Sequence, residues 1–172
     1  MISNEIRESL QHTCSALNKH GVEYMLIGGI AVGFYGYQRP SGVPEYGIVE
    51  TKPDLDFWYN PIVKNYYKLL VALKDMGKDT SRLENEVFDR YKTYLRIQYP
   101  TFKTEFLPQM KGLDSFDKCY KRAKIIDFDG YKLSIIGFSD LMKNKEAVNR
   151  EIDRSDIAEL KRIRKSKEED DK

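Results

Sequence analysis

The chain reads as an α/β protein of the α+β kind, with a mixed β-sheet flanked by helices. Three observations carry that reading. The apolar run Tyr24-Met25-Leu26-Ile27 stops at Gly28-Gly29, as a buried strand does when it ends in a tight turn. Residues 61–76 repeat apolar side chains at helical spacing and close on Gly77. Residues 125–136 alternate on both sides of Asp129-Gly130, the pattern of a two-stranded hairpin.

At 172 residues the chain has the length of one domain. Its boundaries are set at residues 1–160, with residues 161–172 (KRIRKSKEEDDK) as a charged, frayed C-terminal tail. Hydrophobic residues make up 41%, enough for a core, and charged residues 33%, enough for a wetted surface. Neither a bilayer-length apolar run nor a signal peptide's apolar centre is present, so the expected location is cytoplasmic, with no membrane partner. Cys14 and Cys119 match no metal spacing and read as reduced packing residues. His12 and His20 are too few to argue for zinc or a catalytic triad. A net charge of +2 neither demands nor forbids nucleic acid.

Residues 2–19 form an amphipathic helix, with Ile6, Leu10, Cys14 and Leu17 at helical spacing and His20-Gly21 as its stop. Residues 22–27 make a buried strand, and residues 30–37 a short helix. Residues 38–50 read as a loop carrying a strand at 46–50. The helix at 61–76 takes Asn60 as cap and Val63, Tyr66, Tyr67, Leu70 and Leu73 as its apolar stripe. Residues 80–89 are acidic and indeterminate. Strands follow at 91–99 and 102–107, separated by Pro100. After the hairpin, Ser139 is expected to cap a final helical region. Asp127 and Asp129 alternate as well, but Gly130 follows directly and no glycine turn precedes them, so they are assigned to the turn.

The chemistry centres on Asp54-Leu55-Asp56 within an apolar, aromatic run. Side chains alternate along a strand, so Asp54 and Asp56 project from one face while Leu55 and Phe57 point into a core. Two carboxylates roughly 7 Å apart raise each other's pKa unless a cation lies between them. Oxygen ligands of this kind suit a hard divalent ion, Mg²⁺ above all, with substrate phosphates completing the shell. An acidic pair on a strand is a weak signal alone, and Gly28-Gly29 alone could be a packing turn. The order of strand, Gly-Gly, helix and acidic strand is more specific.

Leu26-Ile27-Gly28-Gly29-Ile30-Ala31-Val32, followed by Thr51-Lys52-Pro53-Asp54-Leu55-Asp56-Phe57, resembles the signature of the nucleotidyltransferase superfamily. Within it the chain is most similar to the minimal nucleotidyltransferases and the AbiEii-type abortive-infection toxins. Residues 30–53 separate the two halves, with Arg39 and Thr51 in place of a compact Arg-x-Thr lead-in. The resemblance extends to the run from Asp140-Leu141 through Lys145, Arg150, Asp153 and Asp156, whose bottom-up alternative is a solvated face of ion pairs.

That resemblance implies a nucleotidyltransferase fold and Mg²⁺-dependent transfer of a nucleoside monophosphate from a nucleoside triphosphate to an acceptor hydroxyl. The acceptor classes are tRNA, protein or a small molecule. It further implies a third acid on a neighbouring strand, for which Glu105 in Thr104-Glu105-Phe106-Leu107 stands, against the alternative of a solvated strand glutamate. The expected catalytic and metal residues are therefore Asp54, Asp56 and Glu105. Gly28, Gly29, Arg39, Lys145 and Arg150 are expected at the nucleotide. A role as toxin beside a cognate antitoxin is part of the resemblance, and a catalytically silent binding module is the alternative.

Overall fold

The structure, a computed structural model, describes residues 4–37 and 54–170. Helix α1 (Asn4–Lys19) buries Ile6, Leu10, Cys14 and Leu17, the stripe its spacing predicts, with Thr13 and Ala16 beside them. Strand β1 (Tyr24–Leu26) is buried throughout, and α2 (Gly28–Phe34) follows with no intervening loop. Then come β2 (Asp54–Tyr59), α3 (Val63–Asp75), the short α4 (Ser81–Asn85), β3 (Leu95–Gln98) and β4 (Lys103–Leu107). The chain continues through α5 (Phe116–Tyr120), β5 (Lys124–Phe128), β6 (Tyr131–Ile135), α6 (Phe138–Val148) and α7 (Glu151–Asp170). Arg39, Thr51, and the loop and strand expected at 38–50 lie outside the described residues.

Six strands form one mixed sheet in the order β3-β4-β2-β1-β6-β5. β1 runs antiparallel to β2 and parallel to β6, while β2 runs parallel to β4. Leu55, Phe57 and Tyr59 share one face of β2. Phe57 stacks on Phe106 of β4 at 5.1 Å and meets the edge of Tyr24 at 5.7 Å. Helix α1 packs against α3 and β6. The opposite face of β2 carries Asp54, Asp56 and Trp58, and Trp58 rests against Phe116 of α5. The aromatic residues of β2 and β4 thus build core, and their alternation leaves the acids on the second face.

Several local expectations change. Asn60 does not cap α3, which begins at Val63 without a side-chain cap. Asn60 instead donates to Glu23 at 2.6 Å, and Asn65 ties the same corner by donating to the Glu23 and Asn60 carbonyls. Buried positions of α3 are Asn65, Tyr66, Leu69, Leu70, Ala72 and Leu73, whereas Val63 and Tyr67 are half-exposed. The buried stripe is thus rotated toward Asn65, Leu69 and Ala72. Ser139 lies inside α6, whose N-terminal neighbour is Gly137; a Cβ at 137 would fall 2.6 Å from the Arg122 carbonyl oxygen. The hairpin has its turn at Asp129 and Gly130, both with positive φ, and Gly130 N–H donates to Asp127 at 3.1 Å. Residues 161–170 continue α7 as helix instead of fraying.

Candidate active site

Strand register builds the acidic face. In the parallel pair β2–β4, Asp54 lies beside Lys103 and Asp56 beside Glu105. On the other flank β3 sets Arg96 beside Glu105. Neighbouring strands carry registered side chains on the same face, so Asp54, Asp56, Lys103, Glu105 and Arg96 form one polar patch.

Asp56 stands at the edge of that patch on β2, against the start of α2. The Ile27 N–H donates to the Asp56 carbonyl at 2.9 Å. Gly28 adopts φ +67°, and a Cβ there would fall 2.3 Å from Asp56 Oδ2. Only glycine combines that backbone with that approach. The described structure thus gives Gly28 a specific role: it makes room for the Asp56 carboxylate. Gly29 follows as the second residue of α2.

Electrostatics distinguish the three acids. Burial, then the charges of Asp54 and Glu105, push the Asp56 carboxyl up to about 7, against the opposing charges of Lys103 and Arg150. Asp54 is also raised, chiefly by burial, although Lys103 lies 3.2 Å from its Oδ2. Its other oxygen, Oδ1, is buried with no hydrogen-bond partner among the described residues. Glu105 behaves oppositely. Burial works upward on it, but hydrogen bonds from Tyr94 and Lys103, with the Lys103 and Arg96 charges, hold it below the ordinary carboxylate range. Arg96 donates to it at 2.8 Å and Lys103 lies at 3.2 Å.

Among the described residues no group of three His, Cys, Asp or Glu side chains is arranged to hold a metal ion. Asp54 and Asp56 nonetheless fit a hard cation. Among the described residues one buried Asp54 carboxylate oxygen has no partner, and burial holds both acids above their ordinary pKa. Glu105 is already occupied by two cations.

Lys145 and Arg150 lie at the junction of α6 and α7, where Asn149 in the left-handed region ends α6. Lys145 is buried, at 3% exposure, and its amine meets Asp153 at 3.0 Å and Asp156 at 2.6 Å. Burial alone would raise Asp153, but hydrogen bonds from Arg150 and Lys145, with their charges, bring it down to about 2. Arg150 is largely exposed, grips Asp153 at 2.8 Å, and its charge reaches Asp56. The structure thus brings Arg150 toward the acidic face and commits Lys145 to an internal ion cluster. Lys103 and Arg96 were missed from sequence. Each precedes or opposes an acid by two residues or one register step, a signal that exists only once the strand pairing is known.

No protein-family profile matches the chain, and no curated protein does. Solved structures do match in fold. The lincosamide antibiotic adenylyltransferase LnuA, bound to lincomycin, aligns at TM-score 0.53 and 18% identity over 91% of this chain and 96% of its own. A Thermotoga maritima protein provisionally assigned as a nucleotidyltransferase aligns at TM-score 0.54 and 15% identity, over 98% of this chain and 96% of its own. At such identities the likeness is one of architecture: this mixed sheet with flanking helices is the nucleotidyltransferase fold.

Proposed function

We propose that the protein transfers a nucleoside monophosphate from a nucleoside triphosphate to an acceptor hydroxyl, dependent on a divalent ion such as Mg²⁺. The observation that carries this reading is the pairing of Asp54 and Asp56 on one face of β2, with an orphaned Asp54 oxygen and Gly28 vacated for Asp56. In the reaction the acceptor oxygen bonds to the α-phosphorus, the bond from that phosphorus to the bridging oxygen breaks, pyrophosphate leaves, and the hydroxyl proton passes to solvent water. Asp54 and Asp56 would hold the divalent ion, which supplies positive charge to the phosphates. Asp56 must lose its proton to take part, since its carboxyl sits near neutrality. Glu105 holds Lys103 and Arg96 in place. Arg150, exposed and near Asp56, is suited to grip phosphate oxygens. Arg39, Gly28 and Gly29 remain assigned to the nucleotide by the sequence resemblance.

The fold relative that binds lincomycin supports a small molecule as one acceptor class; tRNA and protein are the others. A toxin acting beside a cognate antitoxin fits the same chemistry. One observation favours the second reading, a catalytically silent binding module: Lys103 already neutralises Asp54 and Glu105. Titration calorimetry separates the two. Nucleoside triphosphate should bind with Mg²⁺ and lose most of its affinity in EDTA, because Asp54 and Asp56 otherwise repel the phosphates. Equal affinity in both buffers would overturn the metal-dependent reading.

A further inference from the structure

Asp54 and Glu105 share a cation of the protein's own. Lys103 lies on β4 beside Asp54, and Glu105 follows it by two residues on the same face. Its ammonium sits 3.2 Å from Asp54 Oδ2 and 3.2 Å from Glu105 Oε1. A divalent ion held by Asp54 needs carboxylate oxygen at about 2.0–2.1 Å for Mg²⁺, and it would meet the ammonium beside that oxygen. Two cations cannot share the position without strong repulsion.

The two basic residues of the patch differ in what they can do. Arg96 is planar, donates to both the Tyr94 hydroxyl and Glu105, and stacks toward the Tyr94 ring at 5.4 Å. Lys103 is a point charge on a flexible four-carbon stem with freely rotating donors. With Arg96 remaining on Glu105, Lys103 can depart without leaving that carboxylate unpaired.

We propose that Lys103 is a built-in counter-cation that keeps free divalent ions out of the acidic site until a triphosphate draws its ammonium away. Metal and nucleotide then bind as a coupled pair, and the site does not fill with metal alone. The inference rests on the transferase reading for the identity of both ligands.

The test measures free Mn²⁺ binding by electron paramagnetic resonance on the full chain, without nucleotide. Lys103→Met should bind Mn²⁺ more tightly than wild type by about tenfold, within the usual range of site–site coupling, and Lys103→Arg should not. In wild type, a non-hydrolysable triphosphate analogue bound together with Mg²⁺ should also shift the Lys103 ¹³Cε resonance, and Mg²⁺ alone should not. Lys103→Met binding Mn²⁺ no more tightly than wild type would overturn the proposal. If that variant fails to fold, an unmoved Lys103 resonance under saturating analogue and Mg²⁺ does the same. The two readings fail separately. Tighter Mn²⁺ in Lys103→Met with no analogue binding by any variant leaves Lys103 as the counter-cation and removes the transferase. Metal-dependent analogue binding that Asp56→Asn abolishes, with Mn²⁺ unchanged in Lys103→Met, keeps the transferase and removes this inference.

Discussion

Asp56 shows most directly how a site residue departs from what stability alone would choose. Its carboxyl is pushed up to about 7, first by burial and then by Asp54 and Glu105. A folded pKa above the unfolded value means that the stability is fully present below about pH 3.8. It is lost as pH rises through about 7, because the unfolded chain ionises freely and the folded one does not. A tenfold change in proton affinity between the two states corresponds to about 1.4 kcal/mol. Without divalent ions, wild type should therefore lose stability between pH 4 and 7, and Asp56→Asn should flatten that profile. At pH 8 the variant should be more stable by about 1–3 kcal/mol while losing nucleotide transfer. Urea melts at pH 5 and pH 8 in EDTA check this. A variant less stable than wild type at pH 8 would mean that Asp56 is a structural group.

At the scale of elements, the α6–α7 junction is held by charge in an apolar setting. Lys145, Asp153 and Asp156 are buried together, and Asn149 turns the chain so that α7 can fold back on α6. Taking one partner from a buried ion cluster leaves uncompensated charge, at a cost of about 3–5 kcal/mol. Lys145→Met should thus lose stability by about that much in chemical denaturation. A loss under about 1 kcal/mol, the size typical of an exposed ion pair, would return these residues to a solvated face. The run around 140–156 was legible as functional-looking charge. Its burial was not, because helical periodicity alone gives Lys145, Asp153 and Asp156 no apolar stripe to join.

At the scale of the molecule, α7 ties the chain's end to its beginning. Ile163 packs against Gly36 at the end of the α2 segment, and Arg164 lies over the Phe138 ring at 5.1 Å. Deleting residues 161–172 should cost about 1–2 kcal/mol, from partial burial of Ile163 and the cation–π contact. In a domain of this size that lowers the midpoint by a few degrees. An unchanged midpoint in thermal denaturation would make this segment the solvated tail its composition suggests. High charge masked its helix, because sparse apolar residues such as Leu160 and Ile163 carry too little periodic signal to outweigh the lysines and glutamates around them.

What the sequence by itself determined is local. A period of two placed Asp54 and Asp56 on one face and Leu55 and Phe57 in the core. A period near four placed the buried stripe of α1, and Asp129-Gly130 placed the hairpin turn. Such patterns need only the geometry of one element. Tertiary structure alone decided which residues stand beside those acids. Lys103 and Arg96 reach the site through the register of β2, β4 and β3, and Gly28 earns its place through an approach to Asp56 that spans the β1–β2 pair. Register is set by how the aromatic core of β2 and β4 interlocks across some fifty residues of chain, from Phe57 to Phe106. No spacing within a single element encodes that, so the carboxylate pair was legible in the sequence and its counter-cations were not.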